Sequence, residues 1–307
     1  SVVGNDNSIA ASALSNNTVA HANGNDIMGF GNIITSDATV VSAEALGNSN
    51  NITGNKNVVD VNSYGESTQA WINGNNITGS DNSFTATAES TRDNAFILDN
   101  RVNGDLNTFD AYTDGDDGTS LIQDNIVDGT QNDVDATVLG EGSEATVETN
   151  EIDGSGNQLV ANSFGVDTND VPDADAEAYI AGNELSGNDN LLRAETTGAG
   201  LNGSAEVTDN TVDGTENRVE AVVSDAYGEA LVTDNMIDGS DNQVIAEAAN
   251  DSADALINEN QVDGQSNTLD AFAGGDSVSG TSFAQIDSNF MMGGEHDVSA
   301  RVTDGST

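Results

Sequence analysis

Apolar and polar residues follow a pattern that repeats about every 25 residues along the chain, with the consensus A-x-I-x-x-N-x-I-x-G-x-x-N-x-V-x-A. In one copy the marked positions from the second isoleucine onward are occupied by Ile77, Gly79, Asn82, Phe84 and Ala86. Within N-x-I-x-G and N-x-V-x-A the marked residues alternate with a period of two, which predicts short β-strands with one face inward. Between these segments the spacing becomes three, so one residue is inserted and the chain turns a corner.

The glycine of this motif recurs from one end of the sequence to the other. Its copies are Gly4, Gly29, Gly54, Gly79, Gly104, Gly129, Gly154, Gly187, Gly214, Gly239, Gly264 and Gly293. A repeat of this length indicates a solenoid, in which each copy forms one coil and stacks on the next. Glycine suits a corner of such a coil because it adopts positive φ without strain.

Two columns of asparagine accompany the glycine. The first lies three residues after it and comprises Asn7, Asn32, Asn57, Asn82, Asn107, Asn132, Asn157, Asn190, Asn217, Asn242 and Asn267, with His296 in the last copy. The second lies four residues before it, from Asn25 to Asn289. Asparagine tolerates the left-handed conformation. A buried asparagine without a partner costs about 1–3 kcal/mol per missing hydrogen bond, so its recurrence predicts amides stacked in ladders.

The pattern therefore predicts an all-β fold, a single parallel β-solenoid of about 12 coils in one continuous domain over residues 1–307. Each coil should contain these two strands, a shorter third strand upstream where alanine and an aliphatic residue alternate, and a variable loop. Twelve coils at about 4.8 Å each make a rod roughly 60 Å long. Extra length is concentrated at 162–177, around Pro172, which predicts a long solvent-side loop there.

The net charge of the chain limits which molecules it can bind. The chain has 53 acidic and 6 basic residues, a formal net charge of -47, which repels nucleic acid and anionic lipid. Such a charge accompanies either disorder or a folded surface adapted to molar salt, where counter-ions screen the repulsion. The periodic apolar residues favour the second explanation. The near absence of lysine, with Lys56 alone, resembles proteins of salt-loving microbes, especially haloarchaea.

The sequence also bears on location. It contains no cysteine, no apolar run long enough to cross a membrane and no visible signal peptide. It begins at Ser1, inside the repeat, which favours a processed and exported chain. We therefore expect an extracellular or cell-surface protein without membrane insertion.

Catalysis is not expected. The two histidines, His21 and His296, lie at opposite ends of the predicted rod, so no serine–histidine–acid set can be assembled with them. Carboxylates are so numerous that a close pair of them carries little information. The alternative is a polysaccharide lyase or hydrolase, since parallel β-helices include such enzymes.

One acidic column suggests cation binding. Aspartates recur just before the glycine at Asp128, Asp153, Asp213, Asp238 and Asp263. Stacked coils would place their oxygen atoms in a row with a spacing of about 5 Å, suited to calcium or another hard cation. A second group, at Asp99, Asp124, Asp209 and Asp234, precedes the upstream asparagine. The alternative is a solvated acidic face with no bound ion.

Five N-x-S/T triplets are candidate glycosylation sites, at Asn16, Asn51, Asn76, Asn202 and Asn250. Asn51 and Asn76 are predicted at outward strand positions and the other three in loops. Chance occurrence is the alternative in a chain so rich in asparagine and threonine. Threonine forms no regular ladder, which argues against an ice-binding solenoid.

The segment I-x-G-x-x-N-x-V resembles the curlin repeat, as at Ile77, Gly79, Asn82 and Phe84. The resemblance covers about one third of each coil and departs where curlins place glutamine, which is aliphatic here; the repeat is also longer. The resemblance implies an extracellular β-solenoid fibre subunit of a biofilm or surface matrix.

These observations lead to one functional expectation. The sequence shows no capping segment, and unpaired terminal strands of a solenoid recruit another chain. We expect a secreted structural subunit whose partners are copies of itself, stacked head-to-tail into a filament or matrix fibre. The alternative is a surface adhesin or viral fibre module that uses the solenoid as a stalk.

Overall fold

The computed structural model describes residues 1–165, 175–198, 202–224, 227–249, 253–275 and 282–304. In these ranges the chain consists of β-strands joined by short turns and irregular segments, without a helix. The chain winds into a parallel β-solenoid whose coils repeat about every 25 residues, as the sequence predicts.

The strands are numbered in chain order. They are β1 Val2–Val3, β2 Ser8–Ala13, β3 Val19–His21, β4 Asp26–Met28, β5 Ile33–Ala38, β6 Glu44–Leu46, β7 Asn51–Thr53, β8 Val58–Ser63, β9 Gln69–Asn73, β10 Asn76–Thr78, β11 Ser83–Glu89, β12 Asn94–Leu98, β13 Arg101–Asn103, β14 Thr108–Asp114, β15 Thr119–Gln123, β16 Ile126–Asp128, β17 Asp133–Leu139, β18 Ser143–Glu148, β19 Glu151–Asp153, β20 Gln158–Phe164, β21 Asp175–Ala181, β22 Glu184–Ser186, β23 Leu191–Thr197, β24 Asn202–Thr208, β25 Thr211–Asp213, β26 Arg218–Val223, β27 Tyr227–Thr233, β28 Met236–Asp238, β29 Gln243–Ala248, β30 Asp254–Asn258, β31 Gln261–Gln265, β32 Thr268–Gly275, β33 Phe283–Asp287, β34 Phe290–Gly294 and β35 Asp297–Asp304.

Three sheets run along the rod, and each coil contributes one strand to each sheet. Sheet A contains β1, β4 and every third strand to β34, sheet B contains β2 to β35, and sheet C contains β3 to β33. All pairs are parallel and in register, so Ile77 lies between Ile52 and Val102. The described residues therefore form eleven three-strand coils and a twelfth of two strands, in agreement with the predicted coil number.

The strand lengths differ from the expectation. The strand built on N-x-I-x-G is the shortest of each coil in most of the chain, as in the three-residue β10. The upstream alanine–aliphatic strand, predicted to be the shortest, spans five residues in β9, β12 and β15. The reason is that the two corners flanking the N-x-I-x-G strand lie close together, and each ends its ladder of backbone hydrogen bonds.

The core is a stack of inward side chains, one large residue from each sheet and alanine between them. Ile77 from sheet A, Phe84 from sheet B and Ile97 from sheet C are all fully buried. Phe84 and Phe109 stack with ring centroids 5.2 Å apart. Because like residues lie over like, each side chain fills the space left by its copy, and burial of these columns stabilises the rod.

The recurring glycine is required by both conformation and space. Gly104 has a φ of +149°, and a Cβ on it would lie 2.1 Å from the carbonyl oxygen of Gly79 in the preceding coil. The left-handed conformation predicted for asparagine falls instead on the residue before it. That residue is Asp81 before Asn82, with φ +58°, and Asp99 before Asn100, with φ +54°. The asparagine itself is then free to direct its amide along the rod.

The predicted long loop is shorter than 162–177. Strand β20 extends to Phe164 and strand β21 begins at Asp175, because both ends of the predicted range pair in register with neighbouring coils. The intervening segment is therefore 165–174, of which 166–174, with Pro172, lies outside the described residues.

Candidate functional site

The asparagine columns form two buried hydrogen-bond ladders, as predicted. In the upstream column, from Asn25 to Asn289, the backbone N–H and the side-chain Nδ2 of each asparagine donate to Oδ1 of the next, over 2.8–3.0 Å. From the fourth member on, Nδ2 also donates to a backbone carbonyl of a sheet C strand, as Asn125 does to Ile97. Nδ2 of the third member, Asn75, donates to the carbonyl of Gly47, directly after β6. Every polar atom of an inner amide is thus satisfied.

The downstream ladder changes along the rod. Asn82, Asn107 and Asn132 form a continuous row in which backbone N–H and Nδ2 both donate to the next Oδ1. Beyond Asn157 only the backbone N–H bond continues. The Nδ2 atoms of Asn157, Asn190 and Asn217 are buried without a hydrogen-bond partner among the described residues. Nearer the end of the column, Nδ2 of Asn242 and of Asn267 donates to the backbone carbonyl of Gly214 and of Gly239 instead.

The predicted aspartate column is present as a row along sheet A. Asp128 and Asp153 lie side by side in sheet A, Ser186 interrupts the column, and Asp213, Asp238 and Asp263 continue it. Ser186 donates to Asp153 over 2.7 Å. A shallow cavity of about 130 Å³ beside the row is lined by Arg101, Ile126, Val127, Asp128, Glu151 and Asp153, so a guanidinium shares it. Within the described ranges no group of three or more acidic or histidine side chains has a geometry that would hold a metal ion.

The second aspartate group has a conformational explanation. Asp99, Asp124, Asp209 and Asp234 all adopt φ between +54° and +57°. Aspartate is one of the few non-glycine residues that tolerate this region, and Ser49 and Gly74 occupy the same position in earlier coils. This column is therefore explained by the shape of the corner.

Three other aspartates have raised pKa values. Asp110, Asp133 and Asp135 lie on the outward face of neighbouring sheet B strands, and burial raises the pKa of each. The effect is largest at Asp135, where burial and the charges of Asp110 and Asp133 raise the pKa to about 6. Hydrogen bonds to Asp135 Oδ1 from Thr137 and Asn162 partly offset this shift. Sequence spacing did not single out this set, because nothing in it distinguishes half-buried outward aspartates from solvated ones.

The raised pKa of Asp135 makes stability depend on pH. In the folded chain Asp135 holds its proton up to about pH 6, whereas in the unfolded chain it loses the proton near 3.8. Its contribution is therefore fully present below pH 3.8 and is lost as the pH rises to about 6. Relative to Asp135→Asn, we expect the wild-type chain to lose about 1–2 kcal/mol of unfolding free energy between pH 4 and pH 7.

Denaturant unfolding of both chains across this pH range, in molar salt, measures the difference. Asp105→Asn is the matched control, because Thr130 hydrogen bonds lower the pKa of this exposed aspartate and its pH dependence has the opposite sign. Parallel curves for wild type and Asp135→Asn would contradict the prediction.

Four of the five candidate glycosylation residues lie in the described part of the chain. Asn16 lies in an exposed turn, and Asn51 and Asn76 point outward from sheet A, as predicted. Asn202 was predicted in a loop but begins strand β24, because its backbone pairs in register with neighbouring coils. Asn250 lies outside the described residues. Asn76 Nδ2 donates to Asn51 Oδ1 over 3.2 Å, so modification of both would disrupt this contact.

The two histidines lie at opposite ends of the solenoid. His21 belongs to sheet C of the first coil and His296 to the twelfth coil. His296 occupies the position of the downstream asparagine, and its Nε2 lies 3.0 Å from the Met292 carbonyl oxygen. The pair therefore forms no shared site.

One surface was not found from the sequence. On sheet C, nine outward residues of three successive strands carry no charge, and we call them the neutral face: Gln69, Trp71, Asn73, Asn94, Phe96, Leu98, Thr119, Leu121 and Gln123. Trp71 and Phe96 contact each other with ring centroids 4.3 Å apart and planes inclined by 41°. The signal was available, since these residues alternate with the buried alanine and isoleucine of the upstream strand.

Comparisons with known proteins give no match. No family model and no curated protein matches the sequence, and no solved structure matches the chain. A search of the described part of the chain for a helix with the length and apolar character of a membrane span also finds none.

Proposed function

We propose that this chain is a secreted structural subunit that stacks head-to-tail into an extracellular filament in concentrated salt. The observation that carries the proposal is the shared direction of the two buried ladders. In both, the donors of one coil face the Oδ1 acceptors of the following coil. The two faces of a coil are therefore complementary to each other and not to themselves, which favours open head-to-tail stacking over a symmetric end-to-end pair.

The outermost described coils present these groups. Within the described residues nothing donates to Oδ1 of Asn7 or Asn25, and the backbone N–H groups of Asn289 and His296 have no acceptor. A further coil in the same register would pair all four. We propose that this coil belongs to another copy of the chain.

The apolar columns support the same interface. Val298 and Val302 continue the columns of Leu269 and Ala273, which are fully buried, yet they are 52% and 46% exposed. Covering them with the first coil of another copy would bury apolar surface at about 25 cal/mol per Å². The negative charge of both copies opposes this contact, and molar salt screens that repulsion. The curlin-like motif, which covers about one third of nearly every coil, supports the assignment to a matrix fibre.

Electron microscopy and sedimentation of the purified 307-residue chain in molar potassium chloride test the proposal. We expect rods whose length grows with protein concentration and which shorten when the salt is diluted. Val298→Asp with Val302→Asp should abolish growth, because it places two carboxylates on the apolar columns that the next copy would cover.

Met292→Asp is the matched control, because it adds a carboxylate to the same coil on the outward face. It should leave growth unchanged. Monodisperse single rods at high protein concentration in molar salt would contradict the filament and would favour a stalk that presents a separate binding module.

A further inference from the structure

The neutral face stands out because the rest of the chain is so acidic. Its nine outward residues contain no carboxylate, whereas the strands on either side return to acid at Glu44 in β6 and at Glu144 and Glu148 in β18. Farther along the same column, burial and the charges of neighbouring Glu177 and Glu206 raise the pKa of Tyr179 to about 12. Over three consecutive coils the outward side chains offer no charged group to pair with an ionic occupant, and the flanking carboxylates repel an anion, which favours an uncharged occupant.

The chemistry of the neutral face is amphipathic. A central row of Trp71, Phe96 and Leu121 follows the rod axis, with one side chain per coil. Gln69 and Asn94 place amides on one side of it, and Asn73 and Gln123 place amides on the other. Gln69 accepts a hydrogen bond from Trp71 Nε1 over 3.2 Å. Aromatic rings pack against the C–H faces of sugars, and neighbouring amides both donate to and accept from hydroxyl groups.

The size of the neutral face argues against a protein partner. Three strands at about 4.8 Å and five residues at about 3.3 Å cover only about 200–250 Å². A stable protein–protein interface needs about 800 Å² on each partner. Lateral contact between two copies would also bring the flanking rows of Glu44 and Glu144 close to their counterparts. A narrow polymer that follows the row avoids both problems.

We propose that the neutral face binds an uncharged polysaccharide, with one sugar ring on each coil. An extended chain of β-1,4-linked pyranose rings advances by roughly one coil spacing per ring, so the coil repeat and the polymer repeat match over about three coils. The polymer lies along the side of the rod. Its binding is therefore independent of how the ends of the rod are paired.

Trp71 is the only tryptophan of the chain, so its fluorescence reports directly on this face. The probes are neutral hexasaccharides of β-1,4-linked glucose, xylose, mannose and N-acetylglucosamine, titrated into the full chain in molar potassium chloride. We expect at least one to change the Trp71 emission saturably. Phe96→Ala should weaken that probe by about fivefold or more, because it removes one ring of the row.

Tyr179→Ala is the matched control, since it removes an aromatic side chain from the same column among acidic neighbours and should change the affinity by less than about twofold. The anionic hexasaccharide of galacturonic acid should give no response. The proposal is overturned by the absence of a saturable response to all four neutral probes at millimolar concentration, or by equal affinity in Phe96→Ala. Lateral dimers of the wild-type chain that Phe96→Ala abolishes would assign the face to a second copy instead.

Discussion

Gly104→Ala is expected to destabilise the solenoid by about 3–5 kcal/mol. Alanine at a φ of +149° is strained, and its Cβ would lie 2.1 Å from the Gly79 carbonyl oxygen. That oxygen belongs to the backbone of the neighbouring coil, so it can move only if the two coils separate. Because each coil is stabilised by its neighbours, the loss should be concentrated between these two coils and should divide the unfolding transition. Hydrogen exchange of the amides of β10 and β13, which pair across these two coils, locates the effect, and denaturant unfolding gives its size.

Gly74→Ala is the matched control. Gly74 also has positive φ, at +64°, but the nearest atom to an added Cβ is the Ser49 hydroxyl oxygen at 3.8 Å. Its cost should therefore be limited to the left-handed conformation, about 1–2 kcal/mol. Equal losses for the two variants would show that the close approach of the coils does not determine the glycine column.

Asn125→Asp is expected to cost about 3 kcal/mol or more at pH 7. Asn125 Nδ2 donates to the carbonyl oxygens of Ile97 and Gln123 and to Asn150 Oδ1. In the aspartate a carboxylate oxygen would replace Nδ2 and face these three acceptor oxygens without a proton to donate. Residue Asn125 is only 2% exposed, so water cannot take the place of the lost donor. Burial should raise the pKa of the new carboxyl group, and its protonated form can donate again. The variant should therefore recover part of its stability as the pH falls, as measured by denaturant unfolding between pH 4 and pH 7.

The same substitution at Asn76 separates the ladder from a general effect of added charge. Asn76 is exposed in sheet A, and among the described residues its side chain hydrogen-bonds only to the side chain of Asn51. In molar salt Asn76→Asp should change the unfolding free energy by less than about 0.5 kcal/mol. A small and pH-independent loss at Asn125 would refute the role assigned to the directed amides.

Much of the fold could be predicted from the sequence because, in a solenoid, the position of a residue in the repeat fixes its position in the coil. Ile77, Phe84 and Ala86 alternate with polar residues, and that alternation assigns them to the core. The recurrence of Asn82 predicts its ladder, because a lone amide at a buried corner is costly. The exceptions are local. The boundaries of the 162–177 segment and the length of the upstream strand depend on where pairing between coils stops, and residue type does not encode that directly.

The candidate sites were less predictable, and the aspartates show why. Asp128 and Asp135 carry the same side chain on outward strand positions, yet Asp128 is exposed, whereas Asp135 is half-buried and its burial raises its pKa. Asp99 looks like a ligand in the sequence, although its left-handed backbone already explains it. The neutral face was missed for a related reason: a column is recognised by what its members share, whereas this face is defined by the absence of charge across three adjacent columns.

The sequence by itself determined the coil, its corners and the in-register stacking, because a fixed spacing of glycine, asparagine and aliphatic residues is compatible with few other folds. Only the tertiary structure decided the common direction of the two ladders, the burial of individual carboxylates and the grouping of uncharged side chains on sheet C. These properties depend on which atoms of neighbouring coils approach each other. The spacing of residues specifies which positions are stacked, but the orientation of each side chain is set by the packing of the coils around it.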